Sequence, residues 1–412
     1  MQDWLNEKLQ MLNVTEDMAK ETEGFNRLSY TEEEWEAIDA FQSIAESLGM
    51  HVRMDEAGNR IARWTPEGAA GAAVAVGSHV DTVESGGGYD GVVGVLAGLG
   101  AVKILQDEKV QPSRPVEVIC FASEESARFG VSTVGSKAMI GAEELLAQKD
   151  VKDKNGVSIE EAVEARGLSF AEILKAERSR DELHSFIELH IEQGMRIERA
   201  EAQIGVVTAI ACPTRLKLTI QGEAGHTGTA PMAERKDALA AAAEVIQYVE
   251  AEGRRQSEKS HPPVVATAST IQALPNVMNV IPGTVELGVD IRSVDNDKKK
   301  EAAQHIFEFC QMLAHKRGIT VEQSVLVDNP AVPLDDHVRN ALQSSVEACG
   351  FKPYVMESGA GHDVMNMAKK VPSGLIFIPC KDGVSHHPAE LASVKDIERG
   401  TRVLAGYLKN VQ

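Results

Sequence analysis

Cations and cysteines are scarce in this sequence, and each shortage removes a class of function. Lys and Arg number 42 against 62 Asp and Glu over 412 residues, a formal charge of -20. Phosphate backbones and anionic membranes are bound by clustered cations, so neither nucleic acid nor a membrane is expected as a partner. The five cysteines (Cys120, Cys212, Cys310, Cys349 and Cys380) are odd in number, widely spread and without a C-x-x-C pair. They predict free thiols in a reducing compartment, most of them small buried hydrophobes, rather than a disulfide framework. No stretch is long and apolar enough to span a bilayer, and the opening M-Q-D-W-L-N-E-K-L-Q has no apolar signal core, so a cytoplasmic protein is expected. A G-x-x-x-x-G-K-[ST] loop is missing, as is a G-x-G-x-x-G after a strand, which argues against a nucleotide site. An anionic substrate remains compatible with the acidic balance, because a pocket sets its own field and two bound dications would reverse it.

At this length one hydrophobic core stops growing, so two domains are expected. The hydrophobic share of 43% and charged share of 25% are those of an ordinary soluble protein. Residues 73–76, 116–122 and 185–191 are compact apolar runs that read as buried strands, and residues 94–105 repeat at helical spacing. Residues 141–184 are charged and helix-prone. Strands alternating with helices predict an α/β layer with a largely parallel sheet. From Pro213 the pattern changes. Leu216, Leu218 and Ile220 alternate with polar residues, and residues 237–252 form a helix with Ala238, Ala242, Val245 and Val249 on one face. A β-rich run at 264–271 and the alternation of Val285, Leu287, Val289 and Ile291 come next. A helix over 301–316, burying Ile306, Cys310 and Leu313, and a strand over 319–327 complete the segment. That β-α-β-β-α-β order is ferredoxin-like. After Asn329-Pro330 the α/β pattern resumes, with a helix over 336–349, a strand over 375–378 and a closing helix from Val394. The expected architecture is a discontinuous α/β catalytic domain over 1–212 and 330–412, with a mixed, largely parallel sheet flanked by helices. A ferredoxin-like α+β domain is inserted at 213–329.

The chemistry gathers at strand ends. In G-S-H-V-D-T-V (residues 77–83), His79 and Asp81 follow an apolar run and lie two apart, on one side of extended backbone. That spacing suits a ligand imidazole whose second nitrogen is held by a carboxylate, and equally a surface His near a turn. G-G-G-Y-D-G (86–91) places Asp90 among glycines before a helix, where the backbone can crowd a metal cluster and one carboxylate can bridge two cations. Glu124 and Glu125 follow the strand run V-E-V-I-C-F-A; two acids there are costly beside an apolar layer unless they meet cations, the alternative being a solvated turn. One of the pair can ligate while the other moves a proton. His190, in I-E-L-H-I-E-Q-G, and the His pair in G-V-S-H-H-P-A-E complete the set. Donors at successive strand ends outweigh the reading of each His as an isolated core or surface residue. With Asp90 shared, three donors per ion leave room for water between two cations about 3.5–4 Å apart.

These segments in this order resemble the dinuclear metallo-amidohydrolases that include N-carbamoyl-L-amino-acid hydrolases and allantoate amidohydrolases, related to aminoacylases and metallo-carboxypeptidases. The resemblance runs from Asn26-Arg27-Leu28 to Glu390. It is carried jointly by E-L-H-I-E-Q-G, G-H-T-G-T-A-P-M, N-V-I-P-G, S-G-A-G-H-D and G-V-S-H-H-P-A-E. It implies His79, Asp90 and His190 on one metal and Asp90, Glu125 and His386 on the other, with Glu124 as general base and acid and Asp81 orienting a ligand. The choice of His386 over His387 rests on the resemblance alone. Ser126 stands where the family often has Gly, a departure that touches no ligand. In the inserted domain the resemblance implies that His226 reaches the partner subunit's active site and stabilises the oxyanion, a role that suits an imidazole. It also implies that Asn279 and Arg292 bind the substrate carboxylate. On their own, Arg292 reads as a strand-end charge and Asn279 as a turn former. Gln193, Gly359 and His362 are expected to line the pocket.

The resulting expectation is hydrolysis of a linear amide C–N bond using two divalent cations (Zn, Mn, Co or Ni), water and Glu124, with the inserted domain closing over the site and forming a homodimer. The first substrate is an N-carbamoyl-L-amino acid, then allantoate, then an N-acyl amino acid or dipeptide. A catalytically silent binding protein would have lost ligands or base, and this sequence retains them. A nucleotide-dependent enzyme would need the loop at 86–91 to bind ATP or NAD.

Overall fold

A computed structural model of the chain describes residues 1–14, 23–259 and 261–411. Two compact units result. Met1–Thr208, Leu334–Met356 and His362–Gln412 form the first, and Ala209–Pro333 with Glu357–Gly361 the second. In chain order the strands begin with β1 (His51–Met54), β2 (Arg60–Trp64), β3 (Ala73–His79), β4 (Val116–Phe121) and β5 (Leu183–Ile191). Next come β6 (Ile204–Ile210), β7 (Cys212–Gln221), β8 (Gly225–His226), β9 (Val265–Leu274) and β10 (Val280–Ile281). The last are β11 (Thr284–Ser293), β12 (Thr320–Asp328), β13 (Val332–Pro333), β14 (Pro353–Ser358) and β15 (Ser373–Ile378).

In the first unit the strands lie in the order β1-β2-β4-β3-β5-β15-β6. The centre, β4-β3-β5-β15, is parallel, while β1, β2 and β6 join antiparallel. The sheet is therefore mixed, as expected. Its central strands read as unbroken apolar runs because every residue of β3, β4 and β15 is buried, which is what a sheet covered on both faces requires. The helix Val92–Asp107 is apolar nearly all round and packs between the sheet and the helices Gln2–Leu12 and Val394–Asn410. It lies close to the strands: a Cβ on Gly94 would come 2.2 Å from the Leu189 carbonyl oxygen. The structure adds elements the sequence had not marked. The hairpin β1–β2 is one. Another is the helix Glu32–Ser47, capped by Thr31, which accepts from the Glu34 amide, and carrying Glu32, Glu33 and Glu34 in its first turn. Residues 141–184 hold three short helical segments, Glu143–Gln148, Ile159–Glu164 and Phe170–Ala176. Leu145, Val163, Phe170 and Ile173 from this stretch close a small core with Tyr30 and Phe129.

The second unit has the strand order β12-β7-β11-β9, antiparallel throughout. Among those strands this is fourth-first-third-second, the ferredoxin-like arrangement. The helices Ala238–Lys259 and Asn296–Arg317 cover one face, packing Ala242, Val245, Ile306 and Cys310 against Leu216, Leu218, Val285 and Ile291. The clean alternation of β7 and β11 follows from having one covered face. The unit is wider than 213–329, and strand pairing is the reason. Ala209 and Ile210, at the end of β6, pair with β13, whereas Gly205 and Val206 pair with β15. Gly359 also falls in this unit. All five cysteines are free, four of them buried. Among the described residues no helix is long and apolar enough to cross a membrane.

Candidate metal centre

The four parallel strands of the first unit deliver their carboxyl ends to one edge of the sheet, where α/β proteins gather ligand-binding side chains. His79 closes β3 and pairs in register with Phe121, which closes β4, so Glu124 and Glu125 emerge just beyond it. His190 is the penultimate residue of β5 and pairs with Phe377 of β15, whose chain continues to His386. Asp90 arrives on the glycine loop before the helix Val92–Asp107. Gly91 has φ +66° and a Cβ there would lie 2.5 Å from the His79 ring, so glycine is required.

Two donor triads result, His79/Asp90/His190 and Asp90/Glu125/His386, each with ligand atoms within 4.8 Å of one another. Asp90 belongs to both through different oxygens. Its Oδ1 lies 3.0 Å from His190 Nε2 and 3.5 Å from His79 Nε2. Its Oδ2 lies 3.4 Å from His386 Nε2, which is in turn 3.2 Å from Glu125 Oε1. The far side of each buried imidazole is occupied: His79 Nδ1 lies 3.1 Å from the Asp81 carbonyl and 3.3 Å from its carboxylate, and His190 Nδ1 lies 3.0 Å from the Ile191 carbonyl. That pattern leaves Nε2 of each ring facing Asp90, the atom that a ligand imidazole would offer a cation. Asp81 also accepts from the Glu124 and Glu125 amides, at 3.0 and 2.9 Å, and so sets the loop that carries both acids. Glu124 Oε2 is 3.8 Å from His79 Nε2, beside the first triad and outside both.

The charges compensate one another. Burial opposes ionisation of Asp90, yet His190, His386 and His79 around it hold its carboxyl well below the usual range. Burial would lower His79, but Asp81, Asp90 and Glu124 outweigh it and push the imidazole well above normal. Hydrogen bonds to Asp90 and Glu125 raise His386 to about 11. Glu124 moves the other way from Asp90: burial, reinforced by Glu125, Asp363 and Asp81 against the pull of His79, pushes it well above the ordinary carboxylate range. A carboxyl raised above its ordinary range is suited to taking a proton and giving it back. Three imidazoles and two carboxylates with borderline and hard donor atoms fit divalent first-row ions.

Residues 75–410 match peptidase family M20/M25/M40. The chain belongs to that family. Ureidoglycolate hydrolase of Oryza sativa subsp. japonica is 36% identical over 383 residues, covering 92% of this chain and 78% of the relative. N-carbamoyl-L-amino acid amidohydrolase of Geobacillus stearothermophilus is 36% identical over 381 residues, 92% of each chain. Allantoate amidohydrolase of Bacillus subtilis (strain 168) is 34% identical over 385 residues, 93% of this chain and 92% of the relative. Family and relatives together make this chain a hydrolase of amide C–N bonds.

Against this M20/M25/M40 background the remaining residues sort by unit. In the first, Gln193 Nε2 donates to Asp90 Oδ2 at 2.6 Å, so it orients the shared carboxylate. His362 is 2% exposed and packs edge-on against the His190 ring, 4.5 Å between centroids. His387 Nδ1 accepts from the Ala389 amide, and of the two adjacent histidines it is His386 that belongs to a triad. In the second unit, His226 pairs with Val280, next to Asn279, through β8 and β10. Arg292 donates to the Gly359 carbonyl at 3.2 Å and to Asp290 at 2.8 Å, so it is partnered within its own unit.

Sequence reasoning passed over Glu390 and Ser385. Glu390 Oε1 accepts from the Tyr89 and Asp90 amides, at 3.0 and 2.9 Å, and its Oε2 from Ser385 Oγ at 2.9 Å. Ser385 Oγ also lies 2.8 Å from Asp90 Oδ2. One buried carboxylate thus ties the Asp90 loop to the His386 loop across 300 residues of chain. Its signal was position alone, the last residue of G-V-S-H-H-P-A-E.

Proposed function

We propose that the chain hydrolyses the amide C–N bond of a ureido acid, first an N-carbamoyl-L-amino acid, releasing the L-amino acid, ammonia and carbon dioxide. Allantoate is the second choice and an N-acyl amino acid or dipeptide the third. The observation that carries the reading is the division of Asp90 between two donor triads, Oδ1 toward His79 and His190 and Oδ2 toward His386. His79, Asp90 and His190 would hold one divalent cation, and Asp90, Glu125 and His386 a second, drawn from Zn, Mn, Co or Ni. Such ions supply Lewis acidity at the scissile carbonyl and make neighbouring water acidic.

The chain's own groups do the rest. Glu124 takes the proton of the attacking water and hands it to the departing nitrogen, as its raised protonation range allows. Asp81 fixes the His79 ring and the Glu124 backbone. His226, Asn279 and Arg292 of the second unit are proposed to bind the substrate, Arg292 at its carboxylate and His226 at the oxyanion. Relatives named for three different ureido acids, at 34% to 36% identity, support the substrate class and leave its member open. Dimerisation through the second unit is also proposed. Its supporting feature is the edge strand β9, which exposes Val265, Ile271 and Leu274.

Two experiments test the reading. Metal-loaded protein is incubated with N-carbamoyl-L-alanine, allantoate, ureidoglycolate and N-acetyl-L-alanine, following ammonia and amino acid release; hydrolysis of none contradicts it. Glu124→Gln should lower kcat by about 10²- to 10⁴-fold while metal content stays at the wild-type level. Near-normal turnover in that variant removes Glu124 from its role.

A further inference from the structure

The loop that carries Glu124 and Glu125 is held on both sides by hydrogen bonds. The Ala122 amide donates to Asn59 Oδ1 at 2.9 Å, Ser123 to Glu34 Oε1 at 2.8 Å, Glu124 to Asp81 Oδ1 at 3.0 Å and Glu125 to Asp81 Oδ2 at 2.9 Å. From the other side the carbonyls of Ala122, Ser123 and Glu124 accept from the amides of Gly135, Val134 and Thr133. Within this frame Ser123 has φ +56°, a left-handed conformation that a serine keeps only where its surroundings over-determine it.

Glu34 and Asn59 are fully buried. Glu34 comes from the first turn of the helix Glu32–Ser47, its second oxygen accepting from the Tyr30 amide. Asn59 stands just before β2 and donates to Asp55 and to the Gly135 carbonyl, so it grips both strands of the loop's surroundings. Both residues precede residue 75, where the family match begins. Neither belongs to the donor triads. A buried polar side chain is costly unless it is hydrogen-bonded, and each Glu34 oxygen accepts from one backbone amide, Ser123 at one and Tyr30 at the other. The bond here is made at the one loop residue whose backbone is strained.

We propose that Glu34, assisted by Asn59, is a positioning residue for Glu124: by fixing the Ser123 backbone it sends the two successive acids in different directions, Glu125 into the second triad and Glu124 to the side of the first. The proposal rests on Glu124 as the proton-transferring group. Glu34 belongs to neither donor triad, and its carboxyl oxygens accept from the Ser123 and Tyr30 amides.

The test is Glu34→Gln in the full-length, Mn-loaded chain, on the ureido acid hydrolysed fastest in the panel above. The amide side chain offers one acceptor oxygen where two backbone amides need one each. The variant should lose kcat by about 10- to 100-fold, the cost of a small misplacement at a reacting group. KM should stay within about twofold. Metal content should stay at the wild-type level, and backbone amides of residues 122–125 should exchange faster with deuterated solvent. In a Glu124→Gln background, adding Glu34→Gln should lower the residual rate no further, because both changes remove one function. An unchanged kcat, a kcat loss matched by metal loss, or additive losses in the double variant would each overturn the proposal. Should Glu34→Gln not fold, Asn59→Ser, which withdraws the acceptor from the Ala122 amide, is read by the same criteria. An active Glu124→Gln removes the base itself. An inactive Glu124→Gln beside an unimpaired Glu34→Gln removes only the positioning role.

Discussion

Asp90 meets three imidazoles, and its neighbours answer in kind: the contacts that hold its carboxyl ionised also raise His79, His190 and His386. Imidazoles raised above their ordinary range hold their protons more tightly, and a cation must displace those protons to reach Nε2. Metal affinity should therefore climb with pH and weaken on acidification, by up to about tenfold per pH unit for each proton displaced. Titration calorimetry with Mn²⁺ in buffers of different ionisation enthalpy reads the number released; a pH-independent affinity with no proton release would contradict this. Gly91 offers a second check at the same scale. Alanine there adds a Cβ 2.5 Å from the His79 ring at a φ of +66°. Gly91→Ala should cost about 1–3 kcal/mol of stability and weaken metal binding, measured by denaturant midpoint and metal content.

The two sheets earn their stability differently. In the second unit the helices Ala238–Lys259 and Asn296–Arg317 are joined by buried Glu252, which accepts from Arg255 at 2.6 and 2.7 Å and lies 2.8 Å from His305 Nδ1. Burial opposes its charge, but Arg255, Gln256 and His305 overcome that and depress it to about 2. A carboxylate lowered in the folded state stabilises fully above its unfolded value of about 4.3, and that stability is lost as pH falls from there toward 2. Glu252→Gln should cost about 1–3 kcal/mol at pH 7 and flatten the loss of stability below pH 4, followed by urea unfolding. The elements themselves were largely legible. β3, β4 and β15 announced themselves as unbroken apolar runs because both their faces are covered, and β7 and β11 as alternation because one face is. The helix Glu32–Ser47 was not, since T-E-E-E-W reads as a solvated acidic first turn. Glu34 is nevertheless fully buried, and only tertiary packing reveals that. Glu390 was hidden for the same reason, its partners lying 300 residues away.

At the scale of the whole molecule, the chain leaves the first unit after Thr208, builds the ferredoxin-like second unit and returns at Leu334. Donors from four separate stretches of the first unit meet only when its sheet is complete, so metal binding and folding of that unit are linked. Mn²⁺ at a hundred times the dissociation constant should raise its unfolding free energy by about 2.7 kcal/mol for each site filled, and chelation should remove that increment. The account stands or falls on Asp90 serving two ions. Metal content per chain, measured by plasma mass spectrometry on wild type, His190→Ala, His386→Ala and Asp90→Ala, tests it directly. The prediction is two ions in the wild type, one in each histidine variant and none in Asp90→Ala. A wild type with fewer than two ions, or an Asp90→Ala variant that keeps both, would contradict it.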